Sequence, residues 1–299
     1  MQTVFLPSEP FAEKTVVAIG FFDGVHLAHR ALLSETVRLA REAGAKAALF
    51  TFDTLPVKAG APLSTLEERL TLFEGLGIEV AFVARFSDVC SLSPKDFVKN
   101  VLMIACGATR AVCGFNFRFG KGACGSASDL LDLLPESRVL SEVELGGVTV
   151  SSTRVRALLS EGRVAEANAL LGAPYTVSAE VEHGKALGRT LGFPTLNMRP
   201  ASLPLADGVY ETRVCLDGTI YAGVTDVGYR PTVEGEGERR METHLIGFDG
   251  CLYGKTLAVS FVGRLRDEIA FKNERELAHQ LAKDKALAER NFKNERNAK

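Results

Sequence analysis

The sequence predicts two domains of different class, a parallel-sheet α/β domain followed by a small all-β domain. Over the first half of the chain, apolar runs alternate with segments of helical spacing, which favours a parallel sheet with helices on both faces. After Pro174 the pattern changes to short alternating segments separated by glycine turns, which indicates antiparallel strands in a small barrel. A length of 299 residues also suits two domains. We predict domains at 1–174 and 175–299.

The elements of the first domain follow from apolar runs and helical spacing. Thr65 and Glu68 have the spacing of a helix-capping box. Polar turns, FDGVH and GFNFRFG, follow the first and fourth strands, and ligands of parallel sheets bind at the carboxyl ends of strands. Both turns are therefore expected at that edge. The predicted strands are 16–22, 47–52, 78–86 and 110–115, and the predicted helices are 30–44, 65–76 and 94–106.

The second half begins with two short helical segments and continues as strands. The hydroxyl residues 151–153 precede these helices, which end at Gly172, and suit an N-cap. From Phe271 onward the chain is charged and alanine-rich, which predicts a C-terminal helix. The predicted strands are 175–181, 209–216, 219–228, 241–248 and 257–265.

Composition excludes several classes of protein. With 46% hydrophobic and 24% charged residues, the chain is globular, and its net charge of −2 gives no general attraction to nucleic acid. Six cysteines show neither a CxxC pair nor a metal-ligand spacing with histidine, which is typical of reduced thiols in a cytosolic protein. The apolar run 16–22 is far too short for a membrane span. We expect a cytoplasmic protein with no nucleic-acid or membrane partner.

The stretch from His183 to Asn197, HGKALGRTLGFPTLN, combines glycines and basic residues with a Pro-Thr-x-Asn sequence. Glycine-rich loops can direct backbone N–H groups at phosphate oxygens. On an extended chain Thr195 and Asn197 point to the same face, and their oxygens suit Mg²⁺ carried by a nucleotide. A plain glycine turn entering a strand is the other interpretation of this stretch.

His26 and His29 lie three residues apart at the start of a predicted helix, so they share one face. A helix N-terminus attracts phosphate, and two imidazoles there can donate hydrogen bonds to a triphosphate. A metal site is a competing interpretation, although no third ligand is evident. Simple helix capping is another.

The sequence resembles riboflavin kinase in its second half and the adenylyltransferase half of bacterial bifunctional riboflavin kinase/FAD synthetase in its first. The kinase-like motifs are GRTLGFPTLN at 188–197, ADGVY at 206–210, DVGYRPT at 226–232, METHLIGF at 241–248, LYGK at 252–255 and LRDEIAF at 265–271. The adenylyltransferase-like motifs are GFFDGVHLAH at 20–29, CGFNFRFG at 113–120 and SSTRVR at 151–156.

The resemblance implies a Rossmann-like nucleotidylyltransferase domain, a barrel kinase domain and two ATP-dependent reactions, riboflavin to FMN and FMN to FAD. In the kinase it implies Glu242 as catalytic group, Thr195 and Asn197 as ligands of Mg²⁺·ATP, and a flavin site at Arg266 and Phe271. There Gly188 and Arg189 would cover the phosphates. In the adenylyltransferase it implies His26, His29 and Arg156 as catalytic, with nucleotide contacts from Gly20, Asp23, Gly24, Asn116, Ser152 and Thr153.

The adenylyltransferase half departs from the family at three places. Ala28 replaces the glycine between the histidines, and FTFDTLP at 50–56, where the family usually has a Pro-His-Pro run, keeps only Pro56, so that Asp53 to Leu55 depart. Ala123 and Ser126 replace an arginine and an acidic residue. A bifunctional enzyme is the main hypothesis. The alternatives are a riboflavin kinase with a degenerate N-terminal domain that binds nucleotide or acts as a scaffold, and a flavin-binding module without catalysis.

Overall fold

A computed structural model describes residues 1–54, 60–184, 192–232 and 235–297, although for 230–238 it describes only the backbone. The chain divides into two compact units, Met1–Ser152 and Thr153–Lys299. Both predicted fold classes are confirmed. The first unit contains a parallel sheet with helices, and the second contains a closed antiparallel barrel of six strands.

The first unit is built on a six-stranded parallel sheet with the order β1-β4-β3-β2-β5-β8. Two further strand pairs lie outside this sheet, β6 with β7 and β9 with β10. The strands of the unit are β1 (Gln2–Phe5), β2 (Thr15–Ile19), β3 (Lys46–Phe52), β4 (Val80–Ala84), β5 (Ala108–Gly114), β6 (Arg118–Phe119), β7 (Gly125–Ser126), β8 (Arg138–Leu140), β9 (Glu144–Leu145) and β10 (Val148–Thr149).

Helices cover both faces of this sheet, because β2 and β4 are buried at every position and β3 at all but its ends. Ala18 and Leu49 pack in one apolar cluster with Leu33 of α1, whereas Val17 and Phe50 face a second cluster on the other side. Thr65 and Glu68 form the predicted capping box at the start of α2. The helices are α1 (Leu27–Ala43), α2 (Leu66–Gly75), α3 (Phe86–Val89), α4 (Pro94–Asp96), the π-helix Phe97–Ala105 that continues from it, and α5 (Ala127–Leu133).

The second unit starts with two helices that pack on the barrel. Asn168 donates a hydrogen bond to the Phe261 carbonyl (2.9 Å) and accepts one from the Tyr175 amide (2.7 Å). The boundary between the two units falls between Ser152 and Thr153, before α7. The sequence places the domain boundary at 174, which stays a prediction. The elements are α6 (Ser152–Ser160), α7 (Val164–Leu171), β11 (Tyr175–Glu182), β12 (Leu196–Met198), β13 (Gly208–Leu216), β14 (Thr219–Thr232), β15 (Gly235–Leu245), β16 (Thr256–Arg266) and α8 (Glu274–Asn297).

The barrel closes in the order β11-β12-β15-β14-β13-β16, and its interior carries a row of hydroxyls. Thr212, Thr225 and Thr243, on three adjacent strands, are fully buried. Successive hydroxyl oxygens are 2.9 Å apart, so the three side chains form a continuous hydrogen-bonded ladder. Buried hydroxyls require such partners.

The C-terminal helix α8 covers part of the outer barrel surface through both apolar and polar contacts. Ala288 packs with Val209 and Val224. Arg266 of β16 is paired with the buried Asp284, and Asn291 donates to Glu211 (2.7 Å). Because each buried charged or polar group has a partner, the helix is fixed in one register against the barrel.

Sequence analysis misses the short strands. β1, β8 and β12 have four, three and three residues, and β6, β7, β9 and β10 have two each, which is too short for an alternating pattern to be recognised. β15 also begins at Gly235, before the predicted start at 241, because its first residues are glycine and charged side chains rather than an apolar alternation.

Candidate active sites

The turn after β2 has a strained backbone. Phe22 and Val25 have φ angles of 55° and 42°, and Gly24 between them has 75°. Glycine adopts such angles without cost, but a β-branched residue such as valine rarely does. Strain of this kind costs about 1–3 kcal/mol per residue and persists only where the surroundings enforce it.

Hydrogen bonds from distant segments hold this turn. Asp23 is buried, and its Oδ1 accepts from the amides of Leu63 (2.9 Å) and Ser64 (3.2 Å). The amide of Gly24 donates to the Ser64 hydroxyl (3.0 Å). The Ser152 hydroxyl donates to the Asp23 carbonyl (2.9 Å). The structure thus brings together three predicted residues, and the Asp23 carboxylate binds backbone amides of the protein itself.

The two histidines lie at the first turn of α1. His26 is the N-cap, and its Nδ1 accepts from the amide of His29 at 3.4 Å. The rings are stacked, with centroids 3.7 Å apart, and the edge of Phe22 packs against His29. Because Nδ1 of His26 is an acceptor, a neutral imidazole there carries its proton on Nε2. The predicted shared face is therefore a direct stacking contact.

Burial makes both imidazoles poor bases. It lowers the pKa of His26 to about 4. It also lowers the pKa of His29 well below its ordinary value, with further lowering by the charges of His26 and Arg69. Within the described residues, Nδ1 of His29 is buried without a hydrogen-bond partner. Both rings are neutral at pH 7, and an approaching anion would favour their protonation.

The other predicted residues of the first site lie close in the chain to the carboxyl edge of the sheet. Gly20 follows β2, and the exposed Asn116 follows β5, the parallel neighbour of β2. Thr153 and Arg156 lie on α6 and belong to the second unit, with Arg156 on the same helical face as Ser152.

The departures from the family pattern have distinct local structures. Ala28 lies in the first turn of α1 with ordinary helical geometry, whereas Ala123 has φ 57° in a tight turn. Ser126 forms a capping box with Asp129 at the start of α5. Asp53 accepts from the Thr54 amide (2.6 Å), and Leu55 lies outside the described residues.

The second site is arranged by strand register on the outer face of the barrel. Asn197 of β12 is directly opposite Glu242 of β15, which is opposite Asp226 of β14. Cβ atoms of such cross-strand neighbours lie about 4.5–5.5 Å apart on one face. Glu242 is half-buried. An amide and two carboxylates therefore form a polar row across three strands, and sequence analysis missed its third member, Asp226.

Asn197 is 5% exposed, and its Oδ1 has no hydrogen-bond partner among the described residues. Gly184 packs directly against this amide, since a Cβ there would lie 2.2 Å from Nδ2. Thr195, two residues before Asn197, is half-buried. A buried amide oxygen without a partner beside a hydroxyl fits a hard cation such as Mg²⁺. Gly188 and Arg189 lie outside the described residues.

His244 fixes the segment that carries Thr195. Its Nδ1 is 2.9 Å from the Pro194 carbonyl, which can only accept, so the ring proton lies on Nδ1. Burial lowers the pKa of His244. Phe193 packs edge-on against the ring. The predicted neighbour of Glu242 on this face thus holds the backbone near the nucleotide ligands.

Arg266 and Phe271 lie together, with the guanidinium 5.9 Å from the ring centroid. Arg266 also donates to the buried Asp284 of α8 through Nε (3.0 Å) and Nη2 (2.8 Å). Sequence analysis missed this carboxylate, because the contact joins residues from two separate elements. The Arg266–Asp284 ion pair therefore also holds α8 against the barrel.

Two family models match the chain, one on each half. The FAD synthetase model matches residues 8–154, and the riboflavin kinase model matches residues 171–292. Bifunctional riboflavin kinase/FMN adenylyltransferase of Bacillus subtilis is 35% identical over 94% of this chain and 93% of its own length. This chain belongs to the bifunctional riboflavin kinase/FMN adenylyltransferase family.

One further relative and one solved structure are also similar to this chain over most of its length. The enzyme of the same description from Escherichia coli K12 is 34% identical over 94% of this chain and 93% of its length. A crystal structure described as a macrolide-efflux protein from Streptococcus pneumoniae matches 97% of this chain and 99% of its own, with 30% identity and a TM-score of 0.88.

The described residues hold no cluster of three or more His, Cys, Asp or Glu side chains suited to a metal ion. None of their helices is long and apolar enough to cross a membrane.

Proposed function

We propose that this chain makes flavin cofactors in two ATP-dependent steps. Residues 175–299 would phosphorylate riboflavin to FMN, and residues 1–174 would adenylylate FMN to FAD with release of pyrophosphate. The observation that carries the first step is the pairing of Asn197 with Glu242, which places a buried amide oxygen beside a carboxylate. The two family models on separate halves support the division.

In the kinase step Glu242 orients the 5′-hydroxyl of the ribityl chain and accepts its proton as the oxygen bonds to the γ-phosphorus. The bond from that phosphorus to the β,γ-bridging oxygen breaks, and ADP leaves. Gly188 and Arg189 cover the phosphates. Arg266 and Phe271 border the flavin, which the cation–π pair between them supports.

The oxygens of Thr195 and Asn197 would hold Mg²⁺, which carries the nucleotide and offsets the negative charge of its phosphates. Gly184 keeps the Asn197 amide in place, because any larger residue would displace it. His244 fixes Pro194 and so limits the position of the Thr195 hydroxyl.

In the adenylyl step an oxygen of the FMN phosphate attacks the α-phosphorus of ATP, and the bond to the pyrophosphate breaks. No covalent intermediate with the protein is needed, so positioning and charge stabilisation carry the reaction. At the N-terminus of α1, His26, through its Nε2 proton, and His29 would stabilise the charge on the leaving pyrophosphate. Gly20, Gly24 and Asn116 would shape the nucleotide site. Asp23 acts indirectly by holding the turn.

Ser152, Thr153 and Arg156 complete the phosphate contacts in this proposal. Arg156 supplies a guanidinium that can bind two phosphate oxygens at once. The substrates are the small molecules riboflavin, FMN and ATP. We also place the enzyme in the cytoplasm, which its six free cysteines support. No nucleic-acid or membrane partner is proposed.

The alternative is a riboflavin kinase whose first domain no longer transfers adenylate. Ala28 favours it, because a methyl group near the nucleotide overpacks the site. Overpacking costs about 1–3 kcal/mol, or roughly 5- to 150-fold in affinity or rate. Replacing Ala28 by glycine should therefore speed FAD formation, mainly through a lower KM for ATP.

The deciding experiment is a time course of the full chain with riboflavin, ATP and Mg²⁺, with products separated by chromatography. Bifunctional enzyme accumulates FMN first and FAD later, and Ala28→Gly shortens the delay. Absence of FAD at every ATP concentration would establish the alternative. An unchanged rate in Ala28→Gly would show that the backbone already accommodates the methyl group.

A further inference from the structure

Arg69 of α2 is one of the largest fully buried side chains, with 2% of its surface exposed. Its Nη1 donates to the Phe21 carbonyl (2.8 Å) and the Thr51 hydroxyl (2.9 Å). Its Nη2 donates to the carbonyls of Phe52 (2.9 Å) and Asp53 (3.3 Å). Within the described residues, all its hydrogen bonds go to neutral oxygens. Burying a cation without a direct carboxylate partner is costly, which calls for an explanation.

The four acceptors lie at the carboxyl edge of the sheet, on two neighbouring segments. Phe21 immediately precedes the strained turn that leads to His26, while Thr51 and Phe52 end β3 and Asp53 follows it. The hydroxyl of Thr51 also donates to the Phe21 carbonyl at 3.1 Å. β2 and β3 are parallel neighbours, so one guanidinium joins the ends of two adjacent strands.

The charge of Arg69 also acts on the histidines. Burial lowers the pKa of His29 most, and the charges of His26 and Arg69 lower it further. Burial lowers the pKa of Arg69 itself, whereas the charges of Asp23, Asp53 and Glu67 raise it. Arginine remains charged even so. Because Arg69 binds the carbonyl of Phe21, and the next residue, Phe22, packs against His29, a positive charge lies near this ring, where the nucleotide triphosphate would bind in the proposed function.

We propose that Arg69 is a positioning residue for adenylyl transfer, which joins the histidine turn to the end of β3 and supplies a buried positive charge beside His29. This inference rests on the proposed function of the first domain. Arg69 touches no substrate. It holds Phe21 and the turn in the geometry that aims His26 and His29 at the departing pyrophosphate, so its loss should affect turnover more than substrate binding.

The test compares Arg69→Met, Arg69→Lys and the exposed control Arg41→Met in the full chain. FMN formation from riboflavin and FAD formation from FMN are measured separately, and hydrogen exchange of the β2 and α1 amides reports on folding of the first unit. We expect Arg69→Met to lower kcat for FAD formation by roughly 10²-fold, the usual effect of small misplacements. KM for ATP, FMN formation and the control should change little. Arg69→Lys should be intermediate, because an ammonium keeps the charge but cannot span four acceptors.

A second measurement separates this role from a purely structural one. Imidazole NMR across a pH series should show a higher pKa for His29 in Arg69→Met than in wild type, and a smaller rise in Arg69→Lys. Normal FAD formation by Arg69→Met would overturn the proposal. So would equal losses in the two variants with unchanged titration of His29. Wild-type protein that makes no FAD would instead defeat the proposed function itself.

Discussion

The two sites of this protein are built in different ways. The histidine turn depends on an irregular backbone, with positive φ angles at Phe22 and Val25, held by backbone amides some forty positions further along the chain that donate to Asp23. The kinase row depends on regular pairing, since Asn197 and Glu242 are neighbours because β12 and β15 are in register. We therefore expect activity at the histidine turn to be sensitive to loss of the hydrogen bonds that hold its backbone. Activity at the kinase row should be sensitive to the fit of the side chains within it.

The largest effect should come from His29→Ala. Removing this imidazole eliminates one of the two rings proposed to stabilise the leaving pyrophosphate, a loss of roughly 10²- to 10³-fold for a single stabilising donor. FAD formation should fall below detection or nearly so, with FMN formation unchanged, as followed by chromatography. Retained FAD synthesis would show that the stacked pair is only a helix cap.

Glu242→Gln is the matching test on the other side of the comparison. Loss of a general base lowers turnover by roughly 10²-fold or more, so FMN formation from riboflavin should decrease by that amount. Riboflavin binding, measured by flavin fluorescence, should be largely kept, and adenylylation of supplied FMN should continue. Near-normal FMN formation would remove Glu242 from the mechanism.

A smaller effect is expected from Gly184→Ala. The new methyl would lie 2.2 Å from Nδ2 of Asn197, so the amide must move. At a cost of about 1–3 kcal/mol for overpacking, KM for Mg²⁺·ATP in the kinase step should rise roughly 5- to 150-fold. Gly263→Ala in β16, where a Cβ meets nothing within 4 Å, is the control in the same barrel. Equal behaviour of the two variants would argue against Asn197 as a ligand.

The smallest effect concerns stability of the histidine turn. The folded-state pKa of His26, about 4, is below its unfolded value, so the folded form binds fewer protons and stability decreases as pH falls from about 6.5 towards 4. Between pH 7 and about pH 5.5 the loss should be about 1 kcal/mol.

Hydrogen exchange of the β2 and α1 amides, corrected for intrinsic rates, measures this loss. His26→Asn keeps an N-cap acceptor but cannot titrate, so its pH dependence should be weaker. The exposed His279→Asn should behave as wild type. A pH-independent β2 would show that His26 stays solvated.

The difference between the sites also explains what the sequence could predict. Alternation along a strand places Glu242 and His244 on one face, and Thr195 and Asn197 on another strand follow the same rule, so the kinase face was predictable. Asp226 was not, because strand register depends on pairing with the rest of the barrel.

At the histidine turn, the glycine and the two histidines were recognisable, but their supports were not. Arg69 follows two glutamates in a helix and resembles an exposed residue, although it lies one helical turn before the buried Phe73. The hydrogen-bond partners of Asp23 and Arg69 come from distant segments, and no local pattern encodes them. The assignments of the individual site residues remain proposals.

The hydroxyl ladder inside the barrel links its interior to catalysis. Thr243 lies between Glu242 and His244, and its hydroxyl is tied through Thr225 to Thr212. A shift of β15 by one position would break this chain and turn Glu242 into the interior, away from solvent and substrate. Three threonines buried inside the barrel, away from any nucleotide, therefore fix the alignment of β15. Substitutions among them would alter catalysis through strand alignment alone.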